Sequence, residues 1–112
     1  MSLTELLVNQ GDPGTEPWPV SINESSTATR STVAASTSAQ ELLAPNVNRT
    51  AFTVYNDSGK KLFLIFGAGG STSDFSVLLN SKAFFEFSGY TGEVRGVWDG
   101  SGGDARLTEF TI

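Results

Sequence analysis

Every phenylalanine of this chain lies at or beyond Phe52, and Trp18 is the lone aromatic residue before it. Aromatic rings bury more area than other side chains, so their placement marks where a core can form. The second half must therefore build the core. The first residues carry a further constraint, because Gly11, Asp12, Pro13, Gly14, Pro17 and Pro19 fall close together. Such a density of breakers prevents a long helix or a paired central strand. Residues 1–27 are expected as an extended arm, and residues 28–112 as the folded domain.

The arm is not uniformly polar. Leu3, Leu6, Leu7 and Val8 suit one amphipathic turn, opened by Ser2 with Glu5 three residues on, although so short a turn frays alone in water. Trp18, Val20 and Ile22 alternate with Pro19 and Ser21, which gives an extended segment one apolar edge. A disordered Ser/Thr-rich leader is one reading of this stretch. The other is an arm that orders against a neighbouring subunit through Leu3, Leu6, Leu7, Trp18, Val20 and Ile22. The second is preferred, because a solvated linker has little reason to carry Trp and spaced aliphatic residues.

From residue 28 onward, short apolar segments alternate with turn residues. They predict strands over residues 28–35, 39–43, 50–56, 61–66, 74–80, 83–87, 93–98 and 105–112. Asp57-Ser58-Gly59 predicts a tight hairpin, residues 88–92 a longer turn, and residues 99–104 a last hairpin joining the final two strands. Strands without a convincing helix predict an all-β fold. The expected architecture is an antiparallel β-sandwich of about 7–8 strands with an extended N-terminal arm.

Alternation assigns the core to Phe52 and Val54, to Phe75, Val77 and Leu79, to Phe85 and Phe87, to Val94, Gly96 and Trp98, and to Phe110 and Ile112. The run from Leu62 to Phe66 is apolar at every position, so that strand should be covered on both faces. A two-sheet sandwich covers one. Phe63 and Ile65 are therefore expected at an oligomer interface, against the arm or a second copy.

Composition narrows the chemistry. The chain has no Cys and no His, which removes thiol nucleophiles, disulfides, imidazole bases and every His or Cys metal site. Acidic residues number 12 against 7 basic ones, for a net charge of −5, the wrong sign for a protein that neutralises phosphates. Nucleic acid is not expected as a partner. Neither is a membrane, since no apolar run approaches the roughly 18 residues of a spanning helix and the amino terminus lacks a basic-then-apolar leader. The chain reads as soluble and unprocessed.

Individual motifs give little. Residues 67–71 are glycine-rich but lack the Gly-Lys-Ser/Thr of a phosphate loop, and a strand rather than a helix follows. Asp99, Ser101 and Asp104 could surround a hard cation, yet their spacing matches no calcium loop, and turn capping accounts for them. Among carboxylates for acid–base work, Glu86, Glu93, Asp99 and Glu109 stand in the body, with Arg95 and Arg106 placed for cross-strand ion pairs. Three glycosylation sequons begin at Asn23, Asn48 and Asn56 and are assigned no role. Tyr90, Trp98 and Asp99 could form a glycan contact in which rings stack on a sugar and the carboxylate accepts its hydroxyls. The register of Val94 and Gly96 favours core packing for Trp98 instead. No catalytic residue, metal site or cofactor is expected.

The body carries Pro45-Asn46-Val47-Asn48-Arg49, Val54-Tyr55-Asn56-Asp57-Ser58, Leu62-Phe63-Leu64 before a glycine-rich loop, Tyr90-Thr91-Gly92-Glu93-Val94, Gly96-Val97-Trp98-Asp99-Gly100 and Thr108-Glu109-Phe110. Over residues 28–112 this pattern resembles a β-sandwich module of tailed-phage virion proteins. In that family the module occurs as a trimeric capsid decoration (cement) protein of short-tailed phages and as a distal domain of tailspikes or fibres. The resemblance implies a non-enzymatic homotrimer on the outer capsid surface of a virion, bound to the major capsid protein. The short arm fits the decoration role better than a fibre, which needs a long shaft. The alternative it implies is a receptor- or carbohydrate-binding tip whose partner is a host surface glycan.

Overall fold

The computed structural model describes residues 24–112. The arm residues Leu3, Leu6, Leu7, Trp18, Val20 and Ile22 lie outside the described residues. Eight strands follow one another: β1 (Thr27–Ala34), β2 (Gln40–Leu43), β3 (Arg49–Asp57), β4 (Leu62–Phe66), β5 (Val77–Leu79), β6 (Phe84–Ser88), β7 (Val94–Trp98) and β8 (Asp104–Thr111). Each predicted strand is present. The largest difference in length is at β5, because Ser71 and Asp74 bond to each other in a tight bridge and leave Asp74 and Phe75 in the preceding loop.

Two antiparallel sheets of four strands face each other, in the orders β1-β8-β3-β6 and β2-β7-β4-β5. The pairing is nested: β1 with β8, β2 with β7, β3 with β6, β4 with β5. The chain behaves as one long hairpin with its tip at the β4–β5 loop, rolled up so that strands fall alternately in the two sheets. Pairing of β3 with β8 and of β4 with β7 then closes each sheet. This is the eight-stranded jelly-roll form of the β-sandwich.

The hairpins expected at residues 57–59 and 99–104 are corners instead. β3 and β4 belong to different sheets, and so do β7 and β8. Turn residues fix a reversal of the chain, whereas the partner of the next strand is decided by which apolar face it must bury. The two corners pack on each other at Gly103, whose φ is +84° and where a Cβ would stand 2.6 Å from the Asp57 carbonyl oxygen. Only glycine meets both conditions there.

Phe52, Val54, Leu62, Leu64, Val94, Trp98, Ala105 and Leu107 fill the space between the sheets. Phe85 is only partly buried, and Phe75, Phe87 and Ile112, all expected in the core, are exposed. On β8 the inward positions are Ala105 and Leu107, so Phe110 lies on the opposite face. The smaller residues point inward there because Glu109 shares their face and reaches Arg49.

Three polar side chains, Arg49, Asn56 and Ser58, are buried among these apolar ones and form two hubs. Arg49 donates from Nε to Glu109 at 2.8 Å, from one terminal nitrogen to the Tyr90 and Gly92 carbonyls, and from the other to the Ala44 carbonyl. Its guanidinium also lies 5.8 Å from the Phe52 ring centroid. Asn56 donates to the carbonyls of Lys60, Leu79 and Asn80, and its Oδ1 accepts from Ser58 Oγ at 2.7 Å and from Trp98 Nε1 at 3.2 Å. These hubs hold the loops at opposite ends of the sandwich, since a buried polar group without partners is costly.

The outer face of β4 is covered from within the chain. Phe63 and Ile65 are 9% and 4% exposed. Phe75 sets its ring edge-on to Phe63 with centroids 5.0 Å apart. Gly70 lies so close over Ile65 that a Cβ there would approach the Ile65 side chain to 2.6 Å. Val97 and Ala39 complete the cluster. The expectation that Phe63 and Ile65 form an oligomer interface is thereby corrected: the β4–β5 loop folds back as their cover.

Candidate interaction surface

Sheet edges and exposed apolar side chains are where a jelly roll can meet other molecules. In the first sheet β6 is one edge and β1 the other. The β6 sequence FFEFS puts Phe85 and Phe87 on the inner face and Phe84, Glu86 and Ser88 on the outer. Phe85 and Phe87 join an aromatic cluster with Phe52, Phe66 and Tyr90, in which Phe66 lies 5.3 Å from Phe87 and 5.1 Å from Tyr90. The cluster sits at the rim of the sandwich, so Phe87 remains 41% exposed, and Phe84 on the opposite face is 59% exposed. Outer-face neighbours on β3 and β8 are Thr53, Tyr55, Thr108 and Phe110, and a shallow groove of about 250 Å³ runs between Ala51, Thr53, Glu86, Ser88 and Phe110. At the end of the body where the chain enters, Val47 and Ile112 are also exposed, and Ser25 hydrogen-bonds Thr50.

Half of the charged side chains among the described residues are held in local pairs. Asp57 accepts from Lys82 at 2.7 Å and from Arg106 at 2.9 Å. The hydrogen bond from Lys82, then that from Arg106, holds its carboxyl below the ordinary carboxylate value, and Asp57 in return raises both Lys82 and Arg106. Glu93 pairs with Arg95 on the same strand end at 3.3 Å, and Glu109 with Arg49. The expected cross-strand pairing of Glu93 and Arg95 with Arg106 and Glu109 is absent, because β7 and β8 are in different sheets. Glu86 has no ion-pair partner among the described residues. No group of three or more acidic side chains converges among the described residues.

The glycan contact expected from Tyr90, Trp98 and Asp99 is not assembled. Trp98 is fully buried, with its indole nitrogen committed to Asn56. Tyr90 stacks on Phe66 and donates its hydroxyl to the Glu93 carbonyl at 2.9 Å. Asp99 is exposed and accepts from the Lys61 amide at 3.0 Å, which pins the start of β4. Tyr90 and Trp98 stand beyond opposite ends of the Val94–Gly96 segment. Asp104, proposed with Asp99 around a cation, lies on β8 with Arg106 3.9 Å away. Sequence reasoning missed the edge character of β6. Its signal was the adjacent pair Phe84-Phe85, which no single buried face can accommodate.

A scan against family models finds no match, and neither does a search of curated proteins. Among solved structures, this chain is similar to a chain from Bacillus endospore appendages, which form a novel family of disulfide-linked pili. The TM-score is 0.41 at 13% identity, over 87% of this chain and 99% of that one.

Proposed function

We propose that this chain is a non-enzymatic capsid decoration (cement) protein of a short-tailed phage. In this reading it sits on the outer surface of the virion as a homotrimer, binds the major capsid protein and stabilises the shell. The single observation that supports it best is the pairing of a rigid jelly-roll body with apolar side chains left exposed along the β6 edge. Such a body works by contact. The sequence pattern over residues 28–112 supplies the phage assignment, and the apolar anchors Leu3, Leu6, Leu7, Trp18, Val20 and Ile22 supply a means of gripping an adjacent subunit. An acidic balance suits an outer surface that never meets the packaged genome.

Quantifying the protein in purified particles tests the proposal. Decoration predicts abundance comparable to the major capsid protein; a few copies per virion would instead indicate a fibre or tailspike tip. Binding to undecorated capsids after deletion of residues 2–22 tests the arm. Retention of full affinity would remove it from the mechanism.

A further inference from the structure

We propose that the two edges of the first sheet that are unpaired among the described residues pair with each other between copies of this chain, so that β6 of one copy adds to β1 of the next. The inference rests on the self-association in the reading above and supplies its surface, while making no use of the capsid.

Among the described strands, β6 pairs only with β3 and β1 only with β8. Each therefore turns a row of backbone donors and acceptors outward. Natural edges are commonly guarded by proline, lysine or a bulge. Neither strand contains proline or lysine, and both pair with their inner neighbour without a register shift. Phe84 and Phe87 are exposed on opposite faces of β6, so a partner lying on one face would cover one ring and leave the other in water. A strand laid alongside shields both.

Charge selects the partner strand. Arg30 is the single charged residue of β1 and Glu86 the single charged residue of β6. Both stand near mid-strand, exposed, on the outer face. Neither makes an ion pair with another described residue. Within the sheet β1 runs opposite to β6, since three antiparallel pairings separate them. A second copy in the same orientation thus continues the antiparallel alternation. With Arg30 opposite Glu86, Thr32 faces Phe84 on the outer side, and Thr29 and Ser31 face Phe87 and Phe85 on the inner. Opposite charges and aromatic–β-branched pairs are favourable directly across strands.

Because the two edges differ, the contact is heterologous. It closes into a ring when the rotation between copies divides the circle, and a third of a turn gives a trimer. A β6–β6 seam would give a two-fold dimer and leave Arg30 unused.

Sedimentation of the full chain provides the test. Arg30→Glu and Glu86→Arg should each lower the association constant about tenfold, and the double variant, which restores opposite charges across the seam, should regain it. A monomer at every concentration, indifference to Arg30→Glu, or a double variant as weak as the singles would overturn the proposal. The chain has no cysteine, which permits a second readout that survives any loss of stability in the charge variants. Chains carrying Ala28→Cys and Ser88→Cys, residues opposite each other in this register, should form a disulfide when mixed and oxidised, and neither should link to itself. Self-linking of either chain would refute the head-to-tail seam. Loss of capsid binding with these links intact would remove the capsid reading and leave this one standing; intact capsid binding without them would do the reverse.

Discussion

At Arg49 a full charge is withdrawn from water and surrounded by three carbonyl acceptors from two loops and a carboxylate on β8. Removing it with Arg49→Met would strand Glu109 and three carbonyl groups. Equilibrium denaturation should show a loss of about 3 kcal/mol or more. Its inward position was hidden in the sequence, because Arg49 is out of phase with Phe52 and Val54. A register shift between Arg49 and Ala51 turns it inward. Asn56 is in phase with Phe52 and Val54, so the same alternation points it inward, where its polar groups are met by backbone carbonyls, Ser58 and Trp98. Trp98→Phe removes the donor to Asn56 and part of the indole volume, and should cost about 2–3 kcal/mol by the same measurement. Many residues that carry the sequence resemblance, Arg49, Asn56, Ser58, Tyr90, Trp98 and Glu109 among them, belong to these two hubs or adjoin them. They are informative about the fold for that reason and say little about what it binds.

Asp57 sets a pH response at the same scale. Its folded-state pKa is depressed by Lys82 and Arg106, so the stability it contributes is present above the unfolded carboxylate value of about 3.9 and is lost as pH falls through the folded value. Thermal melts of Asp57→Asn should therefore differ from the parent by a constant gap above about pH 4, and the gap should close as pH falls further, through the depressed folded value. Divergence confined to acid would contradict the assignment. The group is solvent-accessible, so added salt should shrink the difference.

At the scale of elements, the β4–β5 loop is part of the core packing rather than a spacer. Gly70 has φ +89° and lies against Ile65, so Gly70→Val must both strain the backbone and push the loop away. Stability should fall by about 1–3 kcal/mol, and a dye that binds exposed apolar surface should report Phe63 and Ile65. Unchanged dye binding would mean that the loop is not their cover. The five-residue apolar run of β4 did signal two covered faces. What the sequence left open was the occupant, because a glycine-rich loop resembles a tether until it is seen lying on a side chain.

For the molecule as a whole, strand existence was readable and topology was not. Turn chemistry marks each reversal at Ser58, Gly92 or Gly100, yet six of the connections in this nested order pass between sheets, and no local residue encodes that. Long-range pairing also dominates folding, since β8 must insert between β1 and β3 before the first sheet exists. Refolding of residues 24–112 should accordingly occupy milliseconds to seconds in stopped-flow mixing, and microsecond refolding would be inconsistent with so non-local a set of contacts.

The β1–β8 pairing has a mechanical consequence. Thr27 lies directly opposite Thr111, so tension applied between residues 26 and 112 pulls two neighbours apart and opens the ladder one hydrogen-bonded pair at a time. Load carried along β1 toward the far end of β8 would instead shear all of those pairs at once. The body is therefore compliant to peeling from the pole where β1 begins and β8 ends and stiff to traction along the sheet, and the direction from which a partner pulls decides how much force the fold withstands.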